Sequence, residues 1–557
     1  MAVEPSGRLE LTWTNKHLRL LADREGGYQW VPPSDYRVAE VRLLHDVEEV
    51  GETRAERSRA KDNLLIVGDA LNALTSLCEL PEFAREYVGK VKLAYLDPPF
   101  NTQQAFEHYD DALEHSVWLT MMRDRLLQIR KLLSPDGSVW VHCDDSEQAY
   151  LKVMMDEVMG RDNFVATVIW QRSTSPRNDT KQFSVSHDYI LVFARNAAGF
   201  RPNLLPRTAS ADAAYRNPDD DPRGLWREDN YKVNKTAAER PNLYYEITHP
   251  RTGQSVLPPE RSVWRFSRET HQQHIREDLL WWGKTANYRY PKLKRFLSGV
   301  SEGSVPFTWW PTDEVDQNRR AKQELIALFP DSVPFTTPKP ERLMHRIVHI
   351  ASNRGDVVLD CFAGSGTTAA VAHKMGRRWV AVEWSRETVE TFTRPRLEKV
   401  VTGDDPGGIT KDVAWEGGGG FRVLEVAPSM FAEVEGRVWL APWAVDRELA
   451  EATAAQLGYE FEPDEPFAGR RGRTRLAVVD GLVNLDVIEL LLGALSPDER
   501  LVVCGTAIDP EATEKLRELR PGSRTRKIPA SILAEYRIAR EWRSEPQPEP
   551  APEPVSA

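Results

Sequence analysis

Short apolar runs alternate with amphipathic helical patterns in two stretches of this chain, residues 61–195 and 331–402. Parallel strands need a crossover connection, usually a helix, so the alternation predicts a mostly parallel sheet. Helices should cover both faces of that sheet, because the strand segments are apolar almost throughout. The expected fold class is therefore α/β, with a doubly wound sheet.

The individual elements follow from the same patterns. The predicted strands are NLLIVGD, VKLAYLD, SVWVHCDD, FVATVIWQR and HDYILVFAR in the first stretch, and DVVLD and RWVAVE in the second. The predicted helices are ALNALTSLCEL, 118–133, 147–159, ERLMHRIVHIAS, TTAAVAHKM and 386–401.

Changes in composition divide the rest of the chain. We expect an N-terminal extension (1–60), the two halves of the α/β domain (61–195 and 331–402), an irregular insert (196–330), a small C-terminal α/β unit (403–543) and a Pro/Glu tail (544–557). The C-terminal unit is predicted from RLAVVD, a helix over 485–495, RLVVCG, a helix over 511–520, and RTRKIP. The tail should be extended and unfolded.

Composition excludes several classes of protein. The four cysteines are dispersed among 557 residues and form no CxxC pair, so we expect neither a disulfide framework nor a structural zinc site. No apolar run reaches the roughly 18 residues of a membrane span. The N-terminus lacks the basic start and apolar stretch of a signal peptide. The expected location is the cytoplasm, without membrane contact and without a metal.

Charge is distributed unevenly along the chain. The net charge is -11, yet residues 171–300 sum to about +8 and residues 401–557 to about -10. The basic middle also contains many aromatics, such as Trp226, Trp264 and Trp281. Cations beside aromatics fit a nucleic-acid surface, where cations meet phosphates and rings stack on bases. A Trp-rich core with a solvated basic face explains the same composition, and charge alone does not separate the two.

A glycine-containing turn follows the predicted strand that ends in Asp360. Gly364 and Gly366 let the backbone approach a ligand closely, and a helix begins near Thr367. Glu383 ends the next strand, where a carboxylate can bind ribose hydroxyls. The pattern predicts a nucleotide-type cofactor site. A dinucleotide dehydrogenase site and a turn without any ligand remain alternatives, although the spacing is not GxGxxG.

The segment LAYLDPPFNT, residues 93–102, joins an acidic residue, two prolines and an aromatic to a buried strand. Pro98 and Pro99 restrict the backbone, so the turn presents the Asp97 carboxylate and the Pro98 carbonyl to one polar group. Phe100 offers a flat face for stacking a planar ring. A strand-ending turn with a buried aromatic is the alternative for a lone DPP tripeptide. The glycine motif in the same chain makes that alternative less favoured.

Together, DPPFNT and DCFAGSGTT resemble the amino-DNA methyltransferases that use S-adenosylmethionine. The catalytic motif precedes the cofactor motif, which is the permuted, beta-class order with a target recognition domain between the halves. LTWTNKH, NLLIVGDAL, SHDYILVFAR, DDPRGLWRED and FTTPKPERL are similar to stretches of type III modification subunits. The resemblance covers roughly residues 9–424. It implies a Rossmann-like methyltransferase fold with an inserted target recognition domain over 196–330.

The resemblance also implies roles for single residues. Asp97, with Pro98 and Pro99, would bind the target amine, and Phe100 would stack on a base flipped out of the duplex. Cytosine-N4 enzymes usually have Ser at the position of Asp97, so N6-adenine is favoured. The cofactor would be bound by Asp69, Lys339, Asp360, Phe362, Gly364, Gly366, Thr367 and Glu383. For Asp69, contact with the cofactor adenine and a helix N-cap are equally plausible.

The implied function is site-specific methylation of N6-adenine in double-stranded DNA, as the modification subunit of a restriction-modification or phage-defence system. A homodimer and a restriction subunit with helicase and nuclease activity are the implied partners, and the acidic C-terminal unit is expected to bind a partner protein. Three alternatives remain: N4-cytosine methylation, a nicotinamide-dependent oxidoreductase and a non-catalytic DNA-binding subunit.

Overall fold

The computed structural model describes residues 10–22, 28–33, 35, 38, 40–53, 59–101, 114–176, 181–207, 212–300, 303–330, 335–429, 431–434, 437–440, 447–464 and 466–528. The chain forms two compact units. One comprises Met1–Arg201 and Phe307–Ala557, and the other is Pro202–Pro306. Within the described ranges, no helix combines the length and apolar character that a membrane span requires.

A ten-stranded sheet is the main element of the first unit. Its strands are β1 (Leu44–Gly51), β2 (Asn63–Val67), β3 (Val91–Leu96), β4 (Leu133–Cys143), β5 (Phe164–Gln171), β6 (His187–Ala194), β7 (Trp309–Trp310), β8 (Val357–Asp360), β9 (Arg378–Glu383) and β10 (Gly420–Val426). The order across the sheet is β7-β5-β6-β4-β3-β8-β9-β2-β10-β1. The six strands from β4 to β10 in that order are parallel, so the predicted α/β fold with a mostly parallel sheet is confirmed.

Helices cover this sheet. They are α1 (Ala70–Glu79), α2 (Pro81–Tyr87), α3 (His115–Leu132), α4 (Gln148–Met155), α5 (Thr312–Val315), α6 (Asn318–Leu328), α7 (Glu341–Ala351), α8 (Thr367–Lys374) and α9 (Arg394–Thr402). A short helix, Arg386–Thr388, and a π-helical turn, Val389–Thr393, lead into α9. Every residue of β8 is buried, and so is every residue of β3 except the half-buried Lys92. Such continuous burial is what a parallel strand between two helical layers requires.

Three strands of the sheet come from segments that the sequence patterns placed outside the α/β domain, and one of them is β7, which belongs to the predicted insert and pairs with β5 in parallel. β10 pairs with β2 in parallel, and β1 pairs with β10 in antiparallel register at the edge. β1 is a half-exposed edge strand, in which only Leu44 is buried. Because it contains several charged residues, it was not predicted from apolar runs in the sequence. The sheet therefore extends into the predicted N-terminal extension and C-terminal unit.

The direction of winding reverses between β3 and β8. The chain continues from β8 to β9 on one side, and from β3 to β4 on the other. Ligands of open α/β sheets bind in the crevice that such a reversal leaves beyond the carboxyl ends of the strands. The fold therefore places a binding crevice where β3 and β8 end.

The second unit has little regular structure. Its strands are Leu205–Pro206, Trp226–Asn230, Lys232–Val233, Ile247–Thr248, Ser255–Val256, Val263–Trp264, Leu280–Trp281, Lys292–Phe296 and Gly303–Ser304, and its helix is Arg268–Arg276. Trp226, Trp264, Trp281 and Trp282 are buried. For these four side chains the burial favours the Trp-rich core, one of the two interpretations that the composition left open.

The described residues after 446 contain a five-stranded sheet and three helices, with strands and helices at the positions predicted from 475 onward. The strands are Glu460–Asp464, Phe467–Arg471, Thr474–Val483, Arg500–Ile508 and Arg524–Lys527, and the helices are Arg447–Leu457, Leu485–Ala494 and Pro510–Leu519. The last three strands are parallel. Two further antiparallel pairs are Arg19–Ala22 with Tyr28–Val31 and Phe431–Val434 with Arg437–Leu440. The predicted Pro/Glu tail lies outside the described residues.

Candidate active site

Four acidic residues singled out from the sequence lie at the carboxyl ends of four neighbouring parallel strands. Asp97 follows β3, Asp360 ends β8, Glu383 ends β9 and Asp69 follows β2. These strands are adjacent in the order β3-β8-β9-β2. The four carboxylates therefore lie along one edge of the sheet.

A cavity of about 550 Å³ opens at the crevice between β3 and β8. Its lining includes Asp97, Pro98, Pro99 and Phe100 from one motif, Asp360, Phe362, Gly364 and Thr367 from the other, and Lys339. The two motifs lie about 260 residues apart in the chain but side by side in the fold, because β3 pairs with β8. The fold thus brings the two motifs together at one cavity.

The Asp97 carboxylate has one bound and one free oxygen. Its Oδ2 accepts a hydrogen bond from Lys339 Nζ at 2.5 Å. Among the described residues its Oδ1 has no hydrogen-bond partner, although the atom is buried. An unpaired buried carboxylate oxygen is costly unless a ligand supplies a donor. The cavity therefore contains an acceptor for an external N–H or O–H group.

The ring of Phe100 has two described neighbours, His142 and Lys339, whose Nζ lies 5.1 Å from the ring centroid. It stacks on the imidazole of His142, with ring centroids 5.5 Å apart and an interplanar angle of 23°. The His142 ring lies between the Tyr95 hydroxyl, 3.0 Å from Nδ1, and the Asp188 carboxylate, 3.3 Å from Nε2. Burial lowers the pKa of His142, so the imidazole is neutral at pH 7.

Asp188 closes this hydrogen-bonded chain. Burial opposes its ionisation, but the hydrogen bond with His142 and the charge of Arg172 lower the pKa of Asp188 overall. Arg172 Nη1 lies 3.2 Å from Asp188 Oδ1, and both residues line the cavity. His142, Arg172 and Asp188 do not belong to either sequence motif. Of the three, only His142 had a sequence signal, as a polar residue near the carboxyl end of an apolar strand.

The backbone of the Asp97–Phe100 turn is anchored at its far end. Trp118 Nε1 donates a hydrogen bond to the Pro99 carbonyl at 2.6 Å. Asn101 adopts a φ of +58° and donates through Nδ2 to the buried Glu147 carboxylate at 2.7 Å. These contacts, together with the two prolines, make the turn rigid.

The glycine turn is held by two carboxylates. Asp360 Oδ1 accepts from the Phe362 backbone N–H at 2.9 Å, and Glu383 Oε2 accepts from Gly364 N–H at 2.8 Å. Gly364 and Gly366 have φ of +48° and +77°, which only glycine adopts readily. Gly366 also caps α8. Burial raises the pKa of Asp360 to about 7, and the charges of the nearby carboxylates add to that effect.

Three predicted cofactor residues are not among the described residues that line the cavity: Glu383, Gly366 and Asp69. Glu383 is buried, and its other oxygen accepts from the Ser385 N–H at 3.1 Å. Asp69 caps α1 by accepting from two backbone N–H groups, and it pairs with Arg125 at 2.7 Å. The N-cap expected for Asp69 is confirmed, and the cofactor contacts remain predictions.

A buried charged network, which no sequence motif indicated, lies next to the glycine turn. Lys374, at the end of α8, lies 2.9 Å from Glu341 and 2.6 Å from Asp405. Arg396 Nη2 lies 2.8 Å from Glu341, and its Nη1 donates to Thr367 Oγ1 at 2.8 Å. The network therefore fastens both ends of α8 to α7 and α9.

Comparison with known proteins gives a consistent set of matches. A family model described as DNA methylase matches residues 91–394, more than half of the chain. A protein named as the probable HindVI Mod subunit of a type III restriction-modification enzyme, from Haemophilus influenzae, is 30% identical over 66% of this chain and 54% of its own length. The type III StyLTI Mod subunit of Salmonella typhimurium is 33% identical, covering 59% of this chain and 52% of the relative.

The type III EcoP15I Mod subunit of Escherichia coli is 26% identical, covering 66% of this chain and 62% of the relative. The chain thus spans about half the length of the first two relatives and less than two thirds of the third.

Proposed function

The chain belongs to the DNA methylase family, and we propose on that basis that it transfers a methyl group from S-adenosylmethionine to the N6 amine of adenine in double-stranded DNA. One observation carries the proposal. Because β3 and β8 are neighbours, the Asp97–Phe100 turn and the glycine turn after Asp360 line the same cavity. The Asp97 carboxylate, which can accept hydrogen bonds from an amine, and the glycine turn, which is suited to a cofactor, therefore line the same cavity.

The cavity residues fit the cofactor. Its volume of about 550 Å³ lies in the range of small-molecule sites, and the lining includes Gly364, which has no side chain and a left-handed φ. When bound, S-adenosylmethionine supplies an electrophilic methyl group on a sulfonium. We assign its methionine end to Phe362, Gly364, Gly366, Thr367 and Lys339, beside Asp360. We assign its ribose to Glu383 and its adenine to Asp69.

Asp97 would act on the target amine. The lone pair of an exocyclic amine is delocalised into the purine ring, which makes the amine a poor nucleophile. Hydrogen bonds from the amine to Asp97 Oδ1 and to the Pro98 carbonyl would localise that lone pair. Lys339 occupies Oδ2, so Oδ1 is the oxygen available for this contact. Positioning of this kind supplies most of the rate when the electrophile is already reactive.

The target base would have to leave the duplex to reach Asp97. Phe100 is suited to receive it, because the stack on His142 holds one face of the ring and fixes its orientation. The rigid turn formed by Pro98 and Pro99 sets the distance between the stacking ring and the carboxylate. Asp97, rather than Ser, favours adenine over cytosine as the target.

We extend the proposal to the biological system. The relatives named as Mod subunits favour the modification subunit of a type III-like restriction-modification or phage-defence system. Its partners would be double-stranded DNA, a restriction subunit and a second copy of this chain. The unit Pro202–Pro306 would read base edges in the major groove as the target recognition domain.

Methyl transfer to DNA tests the proposal. The purified full chain, labelled S-adenosylmethionine and plasmid DNA should give labelled DNA, and mass spectrometry of its nucleosides should show N6-methyladenine. Asp97→Ala should abolish labelling, whereas the exposed Asp313→Ala, which is outside the cavity lining, should not. N4-methylcytosine would overturn the assignment of the base, and wild-type turnover by Asp97→Ala would overturn the mechanism.

A further inference from the structure

The helix α6 presents two cations to the catalytic cavity. Arg319 and Lys322 both line it, together with Asn318. Residues three apart on a helix share a face, so the two side chains project on the same side. Arg320, between them in sequence, is not among the described lining residues.

These two cations differ from the others in the cavity. Lys339 is paired with Asp97, and Arg172 is paired with Asp188. Arg319 and Lys322 are exposed, and within the described ranges neither has a carboxylate partner. Among the residues that the structure describes, no carboxylate neutralises these two positive charges at the cavity.

Helix stability does not explain their position. The amino-terminal end of a helix carries a partial positive charge and favours acidic residues. The first turn of α6 contains no acidic residue, although it contains Arg319 and Arg320. Arg320 has an intrahelical partner in Glu324 at 3.8 Å, whereas Arg319 has none among the described residues. An external anion would relieve this unfavourable arrangement.

We propose that Arg319 and Lys322 bind the phosphates that flank the flipped nucleotide. The inference rests on the proposed function. A base that enters the cavity to reach Asp97 remains joined to its sugar, so its two phosphodiesters must lie at the cavity mouth. Two unpaired cations on one helix face match two successive phosphates of one strand. The two side chains hold the extruded strand without reading its sequence.

A carboxylate of the bound cofactor is the other anion that these cations could meet. Arg and Lys bind both kinds of oxyanion, so geometry alone does not separate them. The two sources differ in one measurable respect. Binding to DNA phosphates releases counterions and makes DNA affinity depend on salt, whereas cofactor contacts change only cofactor affinity.

The experiment compares four full-length variants with the wild type: Arg319→Gln, Lys322→Gln, the double variant, and Arg320→Gln as a matched control from the same helix turn. The dissociation constant for a duplex oligonucleotide is measured by fluorescence anisotropy over a series of KCl concentrations. Each lost phosphate contact should reduce the magnitude of the slope of log K against log salt concentration by about 0.9. In the double variant the reduction should be about twice as large. Arg320→Gln should keep the wild-type slope.

Three further measurements complete the test. Duplexes of unrelated sequence should lose the same slope, because phosphates carry no sequence information. Affinity for S-adenosylhomocysteine, measured by calorimetry, should be unchanged in every variant, which also shows that the cavity is folded. Lys322→Arg should restore the wild-type slope.

Unchanged salt slopes in the double variant would overturn the inference. A loss of S-adenosylhomocysteine affinity with an unchanged slope would also overturn it, because the anion would then belong to the cofactor. If either result is obtained while the wild-type protein methylates DNA, the proposed function is still supported and only the phosphate contacts are refuted. A wild-type protein that binds DNA but never transfers methyl would instead refute the proposed function, with the slopes still deciding the phosphate contacts.

Discussion

The Asp360 carboxyl should make the stability of the α/β domain fall as pH rises through neutrality. The residue ends β8 and is only 3% exposed. Burial raises its pKa from 3.8 to about 7, against the lowering effect of hydrogen bonds with Thr368 and the Phe362 backbone. Asp360→Asn keeps a carbonyl that can accept from Phe362 and removes the ionisable group.

The sign follows from proton binding in the two states. Between about pH 4 and 7 the folded protein keeps a proton at Asp360 that the unfolded chain has released, so the free energy of unfolding falls as pH rises. A pKa difference of about three corresponds to roughly 4 kcal/mol, nearly all of it lost by pH 8. Asparagine does not ionise. The free energy of unfolding of the variant, relative to that of the wild type, should therefore increase by about 2–3 kcal/mol between pH 5 and 8.

Guanidinium denaturation at pH 5, 6, 7 and 8 measures this effect, followed through the transition of the domain that contains the ten-stranded sheet. Asp313→Asn, an exposed change of the same chemical type, controls for the loss of a negative charge. The difference between Asp360→Asn and wild type should grow with pH and level off above about pH 8. Parallel stability curves for the two proteins would refute the reasoning.

Four other substitutions test the site. Lys339→Met removes the cation bound to Asp97 and should slow single-turnover methyl transfer by up to about 100-fold, with Lys339→Arg closer to wild type. Phe100→Leu should lower kcat/KM by about tenfold or more, because base stacking is worth about 1–3 kcal/mol, while Phe100→Tyr should not. Glu341→Ala removes the carboxylate partner of the buried Arg396, whereas Lys374 keeps Asp405, and should cost about 3 kcal/mol in chemical denaturation; a loss below 1 kcal/mol would contradict the network. Gly366→Ala, at a φ of +77°, should cost about 1–2 kcal/mol, and an unchanged Tm would argue against the turn.

The sequence patterns predicted the core strands and helices well, because each depends on local periodicity. The strand before Asp97 and the strand before Asp360 both follow from short apolar runs. The edge strand β1 could not be predicted in this way, because it is half exposed and rich in charged residues and therefore contains no apolar run. The helix α6 was assigned to the inserted domain, whereas the structure places it in the unit that contains the large sheet.

For the site residues, too, the sequence predicted the positions along the strands but not all of the contacts. Asp97, Phe100 and Asp360 line the cavity. Their position follows from the fold class, because the carboxyl ends of parallel strands all lie at the same edge of the sheet. Glu383 and Asp69 follow their strands at the expected edge, but their carboxylates bind backbone N–H groups. A spacing pattern identifies where a carboxylate lies along the chain. It does not reveal which donors from elsewhere surround it.

The amino-acid sequence by itself determined the alternation of strands and helices, the rigid Asp97–Phe100 turn and the glycine turn, because each arises from the steric and hydrogen-bonding limits of neighbouring residues. Only the tertiary structure decided that β3 lies against β8, that Lys339 holds one oxygen of Asp97 and leaves the other free, and that Trp264 is core rather than surface. Those outcomes depend on contacts between residues far apart in the chain, which are selected by the packing of the whole fold rather than by local sequence.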